Sequence, residues 1–181
     1  MNSNPIFRLA TAAYQGLITV ASWLQPLFLL AIRLYWGWQF FVTGWGKLTH
    51  IPKVAGFFHS LGIPFPTLNA YLAGSAECFG GLFLLIGLAS RITTLPLIFT
   101  MIIAYLTSEI DVVKNIFSDP DKFVTDTPFL FLLAAVIVFL FGPGPLSLDG
   151  LIAFFLKRAG FPIPNFCPQP ERPGGRAGDA R

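Results

Sequence analysis

Residues 68–89, LNAYLAGSAECFGGLFLLIGLA, decide how the rest of the chain is read. The run is long enough to cross a bilayer, because about 30 Å of hydrocarbon takes roughly 20 residues of helix. It holds one charged residue, Glu77, near its middle; nothing charged lies nearer in sequence than His59 on one side and Arg91 on the other. A carboxylate at that depth is expensive and needs a partner or a task.

Composition extends the membrane reading to the whole chain. Of 181 residues, 54% are hydrophobic and 12% charged. Soluble domains carry about twice that share of charge. Four stretches are apolar enough to span: residues 26–46, 68–89, 92–108 and 128–141. The last is short and needs tilt or extension at its ends. The expected fold is an all-α integral membrane protein, with a four-transmembrane-helix bundle over residues 26–145.

The flanks read differently. Ile6, Leu9, Ala13, Leu17, Val20 and Leu24 recur at helical spacing, which predicts an amphipathic interfacial helix within residues 1–25. Gln15, Thr19 and Ser22 interrupt its apolar run, and no small-x-small cleavage site follows before Pro26, which argues against a cleaved signal. Leu148, Leu151, Ile152 and Phe155 predict a short surface helix within residues 146–160, ending at Lys157 and Arg158. Residues 161–181 are rich in Pro, Gly and Arg and read as a disordered tail. Punctuation supports the boundaries: Thr67 as an N-cap, Asp126 or Thr127 ahead of Pro128, and Gly142-Pro143-Gly144-Pro145 as a stop.

Basic flanks set the expected orientation. Arg8, Arg91, Lys157, Arg158, Arg172, Arg176 and Arg181 fall on one side. Lys47, Lys53, Lys114 and Lys122 fall on the other. This predicts a bacterial inner membrane protein with both termini in the cytoplasm. No basic tract with interleaved aromatics is present, so nucleic acid is not an expected partner. The expected partners are the lipid bilayer and membrane or soluble redox proteins.

The polar residues inside the spans form a pattern. Arg33, Gly37, Phe40, Gly44 and Lys47 share one face of the first span. Gly74, Glu77 and Gly81 share a face of the second, with Gly80 and Gly87 on a neighbouring stripe. Glycines let two membrane helices approach closely, so these faces are expected to pack together. Arg33, Lys47 and Glu77 are then the candidate polar centre. A direct Arg33–Glu77 pair must bridge a depth difference of roughly 8–10 Å, near the reach of two extended side chains. Arg33 could instead snorkel to the cytoplasmic interface. Gln39 lies on another face and belongs to a different contact.

Other residues offer less. Tyr35, Trp36, Trp38 and Trp45 could wall a flat quinone-like ring, or simply pack against lipid. His50 and His59 lack a third ligand at metal-binding spacing, and no metal is expected. Cys78 and Cys167 are too differently placed for a disulfide. The five acids between residues 109 and 126 have no calcium-loop pattern and read as a solvated surface.

Together, Arg33-Leu34 with Gly37, Phe40, Gly44 and Lys47, then Leu61-Gly62-Ile63-Pro64, then Glu77 with Gly80-Gly81 and Gly87 ahead of Arg91, and Gly142-Pro143-Gly144 before Ser147-Leu148-Asp149, resemble DoxX-family membrane proteins over about residues 28–152. The resemblance implies a four-helix membrane protein linked, through DoxD relatives, to thiosulfate:quinone oxidoreduction, and in other members to thiol or oxidative stress. It implies no catalytic role for any residue. The expected function is a membrane subunit of a redox system near the quinone pool. Glu77 would accept or relay a proton, and Arg33 or Lys47 would hold its anionic form. The alternative is a non-catalytic membrane scaffold or small-solute carrier, with Glu77 fixing helix register.

Overall fold

The computed structural model describes residues 5–159, with side chains from Arg8 onward. The expected tail at 161–181, Cys167 included, lies outside the described residues. Every regular element among them is helical.

The first helix, α1 (Pro5–Thr49), is a single run of 45 residues. The division expected at residue 25 falls inside this helix. At 1.5 Å per residue it is about 67 Å long, roughly twice the hydrocarbon thickness. Pro26 lies inside it. A proline removes one backbone donor, but membrane helices tolerate it where neighbouring groups re-satisfy the freed carbonyl. Only the second half packs: Leu29 is the first buried residue, and none of residues 8–28 is buried.

A short helix follows, α2 (Ile51–Ser60), between the first two expected spans. Pro52 falls in its first turn, where a proline is well tolerated. The chain then turns through Gly62 and Phe65 into α3 (Pro66–Ile86). This helix begins at Pro66, so Phe65, in the left-handed region, takes the cap position expected for Thr67. It ends at Gly87, whose φ of 73° suits a residue without Cβ. Two residues on, Ala89 also has a positive φ, 46°, which is uncommon for a residue with a side chain. α4 (Ser90–Thr107) starts directly after it.

The acidic stretch contains two short helices, α5 (Ile110–Lys114) and α6 (Pro120–Thr125). α7 (Thr127–Phe141) starts as expected: the Asp126 carboxylate accepts from the Thr127 N–H, and Pro128 occupies the first turn. α8 (Leu148–Arg158) is capped by Ser147, whose Oγ accepts from the Gly150 N–H at 3.0 Å. Three helices, α1, α3 and α4, are long and apolar enough to cross a membrane. α7 has 15 residues, about 22 Å, and falls short of the full hydrocarbon thickness.

Glycine contacts reveal how α1 and α3 pack. A Cβ on Gly44 would overlap the backbone of Cys78, and one on Gly81 would overlap the backbone of Phe41. A Cβ on Gly37 would sit 2.9 Å from the Leu85 backbone nitrogen. The two helices therefore touch backbone to backbone, antiparallel, along the faces expected from sequence. Gly80 instead meets the Leu97 side chain of α4, while Gly87 meets Ser147 and the Arg33 guanidinium. The other side of the core joins Phe40, Leu84, Leu97, Met101, Phe131, Ala135 and Val138, tying α1, α3, α4 and α7. Phe131 meets Phe40 edge-on at 4.6 Å and Trp36 at 5.0 Å. Trp36 is thus a core side chain.

Candidate functional site

The antiparallel seam places the expected polar residues at opposite ends. Arg33 and Lys47 are 14 residues apart on α1, about 21 Å along the axis. They do not form one centre.

Arg33 is 2% exposed and holds backbone carbonyls. Its Nε donates to Leu84 O at 3.2 Å, Nη2 to Leu146 O at 3.2 Å, and Nη1 to Pro143 O. Leu84 lies in the last turn of α3, where carbonyls lack intrahelical partners. Pro143 and Leu146 belong to the loop before α8. Asp149 faces the same region: its carboxylate accepts from the Ala89 N–H at 2.8 Å and the Ser90 N–H at 3.1 Å, and its own N–H donates to Gly87 O. Arg33 and Asp149 together fasten α1, the α3–α4 turn and α8. The Arg33–Glu77 pair considered from sequence is not formed. Backbone acceptors more than 100 residues away in sequence capture the guanidinium instead. Gln39 indeed belongs elsewhere, donating to Tyr35 Oη at 3.4 Å.

Glu77 pairs with Lys47. Nζ lies 2.5 Å from Oε1, with Glu77 1% exposed and the Lys47 side chain 31% exposed. Among the described residues the other ion pair, Lys114–Asp111 at 3.9 Å, is solvent-exposed. Glu77 Oε2 is buried and receives no hydrogen bond from the protein.

The pair lies at the edge of a cleft of about 1200 Å³. Ala73, Ala76 and Glu77 of α3 form its floor. Val54, Phe57 and Phe58 of α2 form one wall, and Pro96, Phe99 and Ile103 of α4 the other. α2 packs on α3 and the end of α1, and not closely on α4. The cleft therefore opens sideways, between α2 and α4. Lys53 and His50 stand at its rim. His50 Nδ1 lies 3.1 Å from Gly46 O. Among the described residues no group of three His, Cys, Asp or Glu side chains gathers as a metal site.

Sequence reasoning found the glycine seam and all three charges, but not the cleft. The available signal was Val54, Phe57, Phe58 and Leu61, spaced i, i+3, i+4 and i+7 after Pro52. That pattern marks an amphipathic helix, and all four line the cleft.

These features define a helical membrane protein with a partly buried ion pair beside an apolar cleft. Its affiliation is specific. The DoxX family model matches residues 28–109, an interval that contains Arg33 and every residue of the cleft. The Bacillus subtilis (strain 168) protein named "Putative oxidoreductase CatD" is 31% identical over 123 residues, 68% of this chain and 85% of that one. The chain belongs to the DoxX family. No solved structure matches it. The family model stops at Glu109, short of the 28–152 expected from sequence, so Pro143, Leu146 and Asp149 fall outside it.

Proposed function

We propose that this DoxX-family protein is a membrane subunit of a quinone-linked redox system, with the Lys47–Glu77 pair as its working polar centre. A buried, charge-balanced carboxylate beside a cleft of about 1200 Å³ is the observation that carries the reading. The relative's name, an oxidoreductase, agrees with it. A quinone ring in the cleft takes up two electrons and two protons on reduction and returns them on oxidation. Glu77 exchanges a proton with the ring oxygen, and Lys47 holds the carboxylate while it is anionic. The electrons come from a thiol or other sulfur donor, oxidised on a partner redox protein. Arg33 has no part in that exchange, because it lies about 21 Å from Lys47 along α1 and each of its nitrogens is held by a carbonyl.

The same reading sets the protein in the bacterial inner membrane. Arg8 in α1, Arg91 after the α3–α4 turn, and Lys157 and Arg158 in α8 fall on one side of the antiparallel bundle, the cytoplasmic one. Reporter fusions after residue 159 should be active only with a cytoplasmic reporter.

Glu77→Gln tests the function, since it keeps the shape and removes the ionisable group. Quinone-linked electron transfer in membranes should fall, with growth under thiol stress, while the protein still accumulates. Unchanged transfer and growth would sink the redox role. Lost accumulation alone would favour a scaffold.

A further inference from the structure

We infer that the cleft discriminates by oxidation state, binding the hydroquinone form of its ligand through a ring hydroxyl donated to Glu77 Oε2. The inference rests on the quinone reading above and specifies which form is held and how it enters.

Hydrogen-bonding capacity left over by the protein carries the argument. Oε1 is committed to Lys47, while Oε2 is buried with no protein donor. An unmet acceptor inside a protein costs more than a single hydrogen bond returns in water. The last torsion of a glutamate side chain is soft, so the carboxylate can turn Oε2 toward the cleft without moving the backbone. A ligand hydroxyl then satisfies it, in a bond strengthened by the negative charge. A quinone carbonyl cannot, because it brings a second acceptor to the same place. Lys47 does not reverse this order. Its side chain is 31% exposed, and donors within reach of water gain less from a ligand carbonyl.

The walls describe the rest of the molecule. Phe57, Phe58, Phe99 and Ile103 offer apolar surface, and α2 and α4, which carry them, do not pack closely on each other. A ring bearing an alkyl chain enters from the bilayer head first, with its chain trailing outward between Phe57 and Phe99. An acyl chain alone has nothing to give Oε2.

The test uses purified full-length protein in lipid nanodiscs without oxygen, and three probes: a decyl-benzoquinol, its quinone and its dimethyl ether. The quinol should bind roughly tenfold or more tighter than the ether, the worth of one charge-assisted hydrogen bond. In Glu77→Gln, Lys47 retains the amide oxygen and the amide nitrogen takes the place of Oε2. The preference should then invert toward the quinone. Ala76→Leu, which fills the floor and leaves the ion pair intact, should weaken all three. Equal affinity of the wild type for quinol and ether, the result if water satisfies Oε2, overturns the inference. So does undiminished binding in Ala76→Leu, which would put the ligand elsewhere. A hydroxyl preference without Glu77-dependent electron transfer removes the redox function and leaves this inference standing. Glu77-dependent transfer without a hydroxyl preference does the reverse.

Discussion

Arg33 and Glu77 are buried to the same degree, 2% and 1% exposed, yet they are satisfied in opposite ways. Arg33 gives its guanidinium to three carbonyls from two distant segments. Glu77 gives one oxygen to Lys47 and leaves the other unmet beside a cleft. A buried charge with every nitrogen held by backbone is a fastening. A buried charge with capacity left over, next to space for a ligand, is a site. Depth in the membrane alone does not separate the two.

The sharpest way to break this contrast is Arg33→Met. It strips the Pro143 and Leu146 carbonyls of their donor, leaves Leu84 O with the Gly87 N–H alone, and opens the junction of α1, α3 and α8, with an expected loss of about 2–6 kcal/mol. Accumulation in membranes and thermal denaturation in detergent should both fall, and Arg33→Lys should rescue little, since one ammonium cannot match the planar fork. If Arg33→Met accumulated normally while only activity fell, the fastening role would be wrong. Gly44→Ala comes next. Its Cβ collides with the Cys78 backbone, so α1 and α3 must separate, for about 1–3 kcal/mol. That separation also pulls Lys47 from Glu77, so melting temperature and activity should drop together.

A double-mutant cycle measures the contrast itself. Lys47→Met with Glu77→Gln should couple by about 0.5–3 kcal/mol, while Arg33→Lys with Glu77→Gln should add within about 0.5 kcal/mol. The reverse pattern in detergent melts would restore the pairing considered from sequence. Smallest is Lys53→Ala at the cleft rim. Its stability should stay within about 0.5 kcal/mol of wild type, and a larger loss in melts would mean that α2 depends on a contact besides its apolar face.

Much of this arrangement was legible from residue spacing. The two glycine faces and the residues on them followed from helical periodicity, because backbone contact in a membrane demands small residues at fixed intervals. The start of α7 followed from Asp126 and Pro128. What stayed hidden depended on acceptors without side-chain signatures. Pro143 and Leu146 hold Arg33 through their carbonyls, which any residue possesses, so pairing rules based on charge pointed to Glu77. The unbroken α1 was hidden for a related reason. Pro26 ends a helix in water more readily than in a membrane protein, and the break was placed there. α2 is less legible because it is too short to span, although Val54, Phe57, Phe58 and Leu61 keep helical register.

The left-handed turn at Ala89 has a consequence for how the chain is made. Its amides are held by Asp149, 60 residues further along. Synthesis runs from the N-terminus, so α3 and α4 are both complete well before that carboxylate exists. The hairpin must wait half-fastened in the translocating machinery until α7 has entered and α8 has docked. α8 therefore closes the joint between two helices made earlier, and chains ending before Asp149 should expose the α3–α4 turn to proteolysis.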